Sequence, residues 1–503
     1  MSSGTLIFVA LVVGVTVLGF VASRWGHANL KSFDEWALGG RRFGTLVSWF
    51  LLGGDLYTAY TFVAVPALVY GVGAFGFFAV PYATIAYPIV YVLLARFWTV
   101  AKKRGYITTA DFVRDRYGDR TLEIAVAVTG VLAAMPYIAL QLVGMKTVFL
   151  QIGGIFGAGG GVVALAVAFV VLGAYTYTSG LRAPAMIAFV KDTLIYLTVI
   201  AAIIVIPAKL GGWAHIFRAV GPVLAHRPTP GAVLLTPQMY FAYATTALAS
   251  SLSLFIYPHS ITSILAAKSK QVIQRNAALL PAYSVLLGLL ALLGYCAIAA
   301  GIATKDTNAI VPMLFARFFP DWFAGVAYAA IVIGALVPAA IMAIGAANLF
   351  ASNIFRHFSP ERSHTLTRAA KFLCLAMCAL ALLFVAFVKV QYAIDFQLLG
   401  GSWMLQIFPA LIFGLYTRWF HPKALLIGWL CGMTAATVMG FSNIATGKIV
   451  IEFPLHVFGF SLTGFVAFYA LLLNIGIAAL LTWLLGAAKV DPGVDATTIG
   501  DYA

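Results

Sequence analysis

The chain has 503 residues, of which 62% are hydrophobic and only 9% are charged. This composition excludes a soluble globular protein and leaves no room for a large soluble domain. The net charge of +15 does not indicate a nucleic-acid partner, because lysine and arginine fall in alternate loops between apolar runs. The sequence therefore predicts an all-α polytopic membrane protein that lies in a lipid bilayer.

The first apolar run begins at once and lacks a positive leader, so it predicts a membrane span and no cleavable signal peptide. The cysteines lie inside apolar runs without histidine or carboxylate beside them, which favours packing over metal binding. We expect no cofactor and no metal. About thirteen spans are predicted, with approximate limits 4–24, 44–72, 76–99, 121–150, 161–181, 185–208, 237–265, 277–303, 322–352, 370–390, 394–418, 421–442 and 457–487.

The loop after the first span and every second loop beyond it carry most of the lysine and arginine. Because positive loops stay inside, we expect the N-terminus outside and the C-terminus in the cytoplasm. The longer stretches 209–236 and 304–321 are long enough for short interfacial helices. The polar tail after Lys489 is expected to be disordered.

The second span would be about 45 Å long as one helix, well beyond the ~30 Å hydrocarbon core. It contains Gly53, Gly54 and Asp55, and the glycine pair is where we expect the helix to break. A broken helix exposes backbone groups that bind ions and substrates in transporters. The alternative is that Asp55 is a buried, hydrogen-bonded structural carboxylate.

An internal repeat is predicted from matched interruptions. Residues 44–208 and 237–418 each hold five spans, so the second copy is inverted. Ser250–Ser253 interrupts the first span of the second copy as Gly53–Asp55 interrupts that of the first. Residues 1–43 then form an extra N-terminal helix and loop, 421–487 two C-terminal helices, and 488–503 a cytoplasmic tail.

The seventh span is rich in hydroxyl groups, which bind a carboxylate without bringing in a charge. The alternative is that these groups bond to their own helix or join helices. The candidate substrate-binding residues of this and other spans are Tyr57, Tyr82, Tyr243, Thr246, Ser250, Ser251 and Gln397.

Three charged or titratable residues lie near the cytoplasmic ends of their spans. Lys191 and Asp192 either neutralise one another or face the inner vestibule. His259 is expected to be solvated, as a lone interfacial histidine generally is. Asp192 and His259 are our candidates for a cytoplasmic gate.

Several separated motifs resemble the sodium:solute symporter family. They are Gly105–Phe112 with Arg116–Gly118, Ser179–Arg182, Lys191–Asp192 and Pro258–His259. Within the family, residues 176–185, 335–350 and 397–406 look most like the bacterial monocarboxylate permeases. The resemblance covers nearly the whole chain.

This resemblance implies a LeuT-like core of five plus five inverted helices in the bacterial inner membrane. It also implies import of small monocarboxylates such as lactate, pyruvate, acetate or propionate. No obligate protein partner is evident from the sequence. The substrate is expected between spans two, three, seven and eleven, held by half-helix amide groups and by hydroxyls.

One departure from the family bears on the coupling ion. In sodium-coupled members the ninth helix supplies two adjacent hydroxyl side chains, at positions that here are Pro338 and Ala339. Residues 331–351 contain no serine or threonine. Asp55 and the backbone at Gly54 remain, so a proton carried by Asp55 is expected rather than sodium; the alternative is a sodium-coupled symporter of a small carboxylate or amino acid.

Two other classes of function are disfavoured by the residues present. A membrane enzyme would need a cluster of catalytic groups, and Asp55 has no titratable companion in the sequence nearby. A sensor would carry a cytoplasmic signalling domain, for which the tail is too short. A passive channel is less compatible with an inverted repeat than alternating access is.

Overall fold

A computed structural model describes residues 2–25, 29–153, 160–227, 231–358, 363–387, 393–443, 445, 449–457 and 459–502. Within these ranges the chain is almost entirely helical, with one antiparallel hairpin of two strands. The first half contains α1 (Ser3–Val21), α2 (Phe33–Leu38), α3 (Thr45–Leu56), α4 (Val65–Val72), α5 (Ala79–Ile89), α6 (Ala95–Arg104), α7 (Thr109–Tyr117), α8 (Arg120–Ile152), α9 (Gly160–Ser179), α10 (Arg182–Lys209) and α11 (Trp213–Ala225). The second half contains α12 (Tyr240–Leu254), α13 (Pro258–Leu265), α14 (Lys270–Leu279), α15 (Pro281–Ala299), α16 (Ile310–Phe318), α17 (Asp321–Asn353), α18 (Ser363–Phe387), α19 (Ala393–Leu405), α20 (Phe408–Ile412), α21 (Pro422–Gly440), β1 (Glu452–Val457), β2 (Phe460–Phe465) and α22 (Val466–Ala487).

Nine helical segments of the described chain are long and apolar enough to cross a membrane, and the number rises to eleven if each of two bent pairs is one span. Shorter apolar helices at Thr45–Gly54, Tyr60–Val72 and Val163–Ser179 lie where spans two and five are predicted. The count of thirteen and the limits of the two repeats therefore stay predictions. The helices α11 and α16 confirm that short helices occupy the two longer connecting stretches.

The second span is broken, but not at the glycine pair. Helix α3 runs through Gly53 and Gly54 and ends at Leu56, and a π-helical turn at Tyr60–Ala64 then leads into α4. The break is fixed by side chains that bind the first free amides of the second half. Thr58 Oγ1 accepts from the Tyr60 amide at 3.0 Å, and Gln141 Oε1 from the Ala59 amide at 2.9 Å.

The seventh span is also broken later than the sequence predicts. Residues 250–253 are helical, and the Ser253 hydroxyl donates to the Ser250 carbonyl at 3.0 Å. The bend of 49° lies between α12 and α13, just before Pro258. Proline suits this place because the first turn of a helix has no acceptor for its amide. Our expectation of an interruption at 250–253 was wrong by a few residues.

Helix α17 runs through the centre of the protein, and its most apolar stretch is wholly enclosed. Its start packs against the start of α1, since a Cβ on Gly325 would lie 2.1 Å from the Gly4 carbonyl oxygen. The end of α1 packs against the start of α10, where a Cβ on Gly19 would lie 3.2 Å from Ile187 Cδ1. Helices α10 and α17 are therefore antiparallel.

The Gly105–Phe112 motif has a structural role at the start of α7. Thr108 and Asp111 form a reciprocal cap, with the Asp111 amide donating to Thr108 Oγ1 and the Thr108 amide donating to Asp111 Oδ2. Asn353 at the end of α17 donates to Asp111 Oδ1 and to Glu123 Oε1, each at 2.8 Å. The motif thus attaches a loop helix to the central helix.

The last span begins at Val466, not at 457, because 452–465 form the hairpin. Strands β1 and β2 pair from Glu452↔Phe465 to Val457↔Phe460, and Gly459, with φ +83°, provides the positive φ at the turn. The Phe465 amide donates to Thr245 Oγ1 at 3.1 Å, which attaches the hairpin to α12.

The tail after Lys489 is folded, so our expectation of disorder was wrong. Asp495 Oδ2 lies 2.7 Å from Arg116 Nη1 and 3.3 Å from Arg418 Nε. The Gly500 carbonyl accepts from Lys103 Nζ at 2.6 Å. Basic residues of α6, α7 and the 414–418 segment thus bind the acidic tail. The polar composition of the tail alone predicts a solvated, disordered end.

Candidate functional site

Two small cavities lie side by side at the breaks of the second and seventh spans. We call the first the aromatic cavity. Its volume is about 10 Å³, the room that about one water molecule needs. It is lined by Tyr57, Tyr60, Thr61, Tyr82, Ala83, Tyr87, Tyr137, Leu254, Tyr283 and Leu287.

We call the second the hydroxyl cavity, and its volume is also about 10 Å³. It is lined by Tyr60, Tyr82, Ser250, Ser253, Tyr257, Gln397, Leu398, Gly401 and Phe465. Tyr60 and Tyr82 line both cavities, with their rings edge to face at a centroid distance of 6.5 Å. Tyr60 and Tyr82 are thus the side chains common to both cavities, each of which has room for about one water molecule.

The hydroxyl cavity contains polar atoms that the fold leaves unpaired. Ser250 Oγ, Tyr257 Oη and Gln397 Oε1 are buried and have no hydrogen-bond partner among the described residues. A Cβ on Gly401 would lie only 3.5 Å from Tyr257 Oη, so glycine keeps space free beside that hydroxyl. Burying an unpaired polar atom is costly, which indicates that a ligand or water supplies the missing bonds.

The predicted substrate residues divide into two groups. The structure brings Tyr57 and Tyr82 to the aromatic cavity, and Tyr82, Ser250 and Gln397 to the hydroxyl cavity. The remaining three line neither cavity. Thr246 and Ser251 are buried without a partner for their hydroxyls among the described residues, and Tyr243 packs edge to face against Phe75.

Two amide groups after the break of the second span already have side-chain partners. The amides of Ala59 and Tyr60, at the start of its second half, donate to Gln141 Oε1 and Thr58 Oγ1 respectively. This differs from the expectation that half-helix amides hold the carboxylate. Hydroxyl groups then remain as the donors that face the cavities.

A buried ion pair lies beside the break. Lys191 Nζ lies 3.0 Å from Asp192 Oδ1, and both side chains are fully buried. The same ammonium donates to the carbonyls of Gly54 at 2.9 Å and Tyr57 at 3.1 Å. Of the two alternatives for this pair, mutual neutralisation is therefore the one that the structure shows.

Two tyrosines lie beside this ion pair, and one of them binds the Asp192 carboxylate. The Tyr283 hydroxyl donates to Asp192 Oδ2 at 2.8 Å, and the Tyr57 hydroxyl donates to the Tyr283 carbonyl at 2.9 Å. A Cβ on Gly53 would lie 2.1 Å from Tyr283 Cζ, so glycine is needed where this ring crosses α3. The side chain of Asp55 lies outside the described part of the chain, and its role stays a prediction.

Pro338 and Ala339 are buried in the middle of α17. Gly334 lies one helical turn before Pro338. A Cβ on Gly334 would lie 3.7 Å from Ile195 Cδ1 of α10, so α10 and α17 are in contact there. Because the helices are antiparallel, one further turn brings Pro338 to the level of Lys191. The resemblance described above implies that these two positions carry hydroxyls in sodium-coupled members; here neither has a side-chain oxygen.

His259 is fully buried, so the expectation of a solvated histidine was wrong. Its ring packs on those of Tyr137 and Tyr257 at centroid distances of 5.4 and 5.3 Å, and neither nitrogen has a partner among the described residues. It occupies the first turn of α13, inside the bend and away from any surface. The gate assigned to Asp192 and His259 remains untested.

Sequence reasoning missed Tyr60, Tyr137 and Tyr257 as cavity residues, although each follows or precedes a helix irregularity. Tyr137 follows Pro136, and Tyr257 precedes Pro258. Proline beside tyrosine in an apolar span is the signal that could have found Tyr137 and Tyr257, since freed backbone groups and polar side chains meet there. Tyr60 has no proline beside it.

Comparisons with known proteins find relatives over most of the chain. A model of the sodium:solute symporter family matches residues 36–432. The "Monocarboxylate transport permease protein" of Rhizobium johnstonii (strain DSM 114642 / LMG 32736 / 3841) is 50% identical over 487 residues, which is 96% of each chain. The "Uncharacterized symporter YodF" of Bacillus subtilis (strain 168) is 34% identical over 454 residues, or 88% of each chain.

Among solved structures, one is described as "Substrate-bound outward-open state of a Na+-coupled sialic acid symporter reveals a novel Na+-site". Its TM-score is 0.78 and its sequence identity 14%, with 99% of this chain and 100% of that chain covered. At this identity the likeness concerns the fold alone, and it confirms the expected LeuT-like architecture.

Proposed function

We propose a transport function from one premise: this chain belongs to the sodium:solute symporter family. The protein imports a small monocarboxylate, such as lactate, pyruvate, acetate or propionate, together with a proton by alternating access. It does so in a bacterial inner membrane, with its N-terminus outside and its C-terminus in the cytoplasm. The name of the R. johnstonii relative, a monocarboxylate transport permease, supports the substrate class.

The observation that carries the substrate proposal is the set of unpaired polar atoms in the hydroxyl cavity. Ser250 and Tyr257 hydroxyls are donors for a carboxylate, and Gln397 Oε1 is an acceptor for a 2-hydroxyl group. Among the described residues that line the two cavities, none is lysine or arginine. Neutral donors suit a small acid that must be released again, since each charge-assisted bond they form is limited in strength.

Proton coupling is supported by the residues at the ion-pair level. A hard cation such as sodium needs several oxygen ligands, and Pro338 and Ala339 supply no side-chain oxygen. A proton that moves with a monocarboxylate makes transport electroneutral, so the carboxylate never crosses the low-dielectric interior as a net charge. Asp55, at the break of the second span, is the proposed carrier of that proton.

The test is uptake of labelled lactate or pyruvate into proteoliposomes under two separate gradients. A pH gradient without sodium is expected to drive accumulation, and a sodium gradient at equal pH is not. Accumulation driven by sodium would overturn the proton coupling and leave a sodium-coupled symporter. If neither gradient drives uptake of either acid, the substrate class is wrong.

Asp55→Asn tests the proposed carrier. The variant is expected to lose accumulation driven by a pH gradient while it retains exchange of labelled for unlabelled substrate, because binding does not need the carboxylate. Asp306→Asn, in the loop before α16, is the matched control and is expected to accumulate substrate as the native protein does. Accumulation by Asp55→Asn would remove Asp55 from the coupling step.

A further inference from the structure

The Lys191 side chain reaches from α10 to the broken end of α3. It lies about nine residues, or about 14 Å, from the start of α10, which is deeper within the span than the position near the cytoplasmic end that the sequence predicts. An ammonium group has three donors and no acceptor. Here three oxygens surround it, the carbonyls of Gly54 and Tyr57 and Asp192 Oδ1, at 2.9, 3.1 and 3.0 Å.

These oxygens have the chemistry of a cation site. The last carbonyls of a helix have no intrahelical partner and carry partial negative charge. Asp192 adds a full negative charge, and the Tyr283 hydroxyl fixes the carboxylate at 2.8 Å. Backbone carbonyls and a carboxylate are the ligands that hard cations prefer. The occupant in this protein is the ammonium of its own Lys191.

Sodium does not fit these residues as they stand. The ammonium already uses the carbonyls of the broken helix, and a second cation beside it would be repelled. Pro338 and Ala339 of α17, which helix geometry places at about the level of Lys191, contribute no side-chain oxygen. The occupied carbonyls of α3 and the missing side-chain oxygens of α17 thus each disfavour a bound sodium ion.

We propose that Lys191 is a tethered cation that occupies the oxygen-lined cation site at the end of α3 and excludes sodium from it. This proposal rests on the function proposed above and deepens it, because it concerns why a proton, and not sodium, is coupled to transport. Because the ammonium is covalently attached, it neutralises Asp192 and holds the broken helix without being transported. Removing its charge uncovers an oxygen site that sodium can enter.

The variants are chosen to separate charge from volume. Lys191→Ala removes the ammonium and leaves two carbonyls and a buried carboxylate without its counter-ion, which a sodium ion would supply. Lys191→Met removes the charge but fills the same space. Lys191→Ala combined with Asp192→Asn leaves space and carbonyls without the negative charge.

The measurement is thermal unfolding of the purified full-length protein in detergent, in about 100 mM NaCl and in choline chloride of the same strength. A ligand that binds only the folded state raises Tm by mass action. The Tm of Lys191→Ala is expected to rise by about 3 °C or more in sodium. The native protein, Lys191→Met and the double variant are expected to show no difference.

Sodium-specific stabilisation of the native protein or of Lys191→Met would overturn the proposal, and so would a monodisperse Lys191→Ala that does not respond. If Lys191→Ala does not fold, the native protein and Lys191→Met still decide the question. Because this readout needs no substrate, its failure is distinguishable from failure of monocarboxylate uptake.

Discussion

Ser250 and Ser253 make a matched test of the substrate site, because both line the hydroxyl cavity from the same helix but differ in their bonding. Ser253 already donates its hydrogen to the Ser250 carbonyl at 3.0 Å, whereas Ser250 Oγ has no partner among the described residues. Of the two serines, only Ser250 therefore has a hydroxyl that is free to donate to a substrate carboxylate.

The expected magnitude follows from the loss of one charge-assisted hydrogen bond, about 1.5–3 kcal/mol. Since about 1.4 kcal/mol is a factor of ten, Ser250→Ala is expected to raise the KM for lactate by about 10- to 100-fold. Ser253→Ala removes only a bond within its own helix, and we expect its KM to stay within about threefold of the native value.

The assay is the concentration dependence of labelled lactate uptake into proteoliposomes under a fixed pH gradient, corrected for the amount of reconstituted protein. The same protein samples are checked by thermal unfolding so that a loss of folding is not read as a loss of binding. If both alanine variants shift KM equally, or if Ser250→Ala leaves it unchanged, the carboxylate is not held by Ser250.

Two further predictions concern packing. Gly53→Ala places a Cβ 2.1 Å from Tyr283 Cζ and is expected to lower the stability by about 1–3 kcal/mol. Gly54→Ala places a Cβ 3.2 Å from the bound Lys191 Nζ, a smaller overlap, and is expected to cost less; equal Tm values for the two would contradict this packing. Asp495→Asn removes the charge opposite the buried Arg116 and is expected to lower the stability, measured by thermal unfolding, by about 1–3 kcal/mol. Asp501→Asn, near the end of the tail, is the control and should lower the stability by less than about 1 kcal/mol.

The architecture could be predicted because apolar length and the positions of lysine and arginine carry most of the information for membrane helices. The positions of the breaks could not. Glycine in a span indicates either a break or a close approach, and at Gly53 it is the approach of Tyr283. The break lies instead where Gln141, far away in sequence, binds the Ala59 amide.

The same limit applies to the site. Ser250 and Gln397 could be recognised as polar residues in apolar spans, and the structure brings them to one cavity. Lys191 and Asp192 could be paired by their adjacency, but their contact with the carbonyls of α3 depends on how α10 packs across it. The burial of His259 similarly follows from packing of α13 against α8 and is invisible in the local sequence.

The contact of the tail with Arg116 has a consequence for the biosynthesis of the protein. Arg116 donates to the carbonyls of Gly414 and Thr417 as well as to Asp495. A ribosome completes the segment with residue 116 long before it reaches 414, and it reaches 495 only after every span has been made. This guanidinium therefore acquires its last partner at the end of translation, so a nascent chain that stops early leaves a buried arginine without its counter-ion.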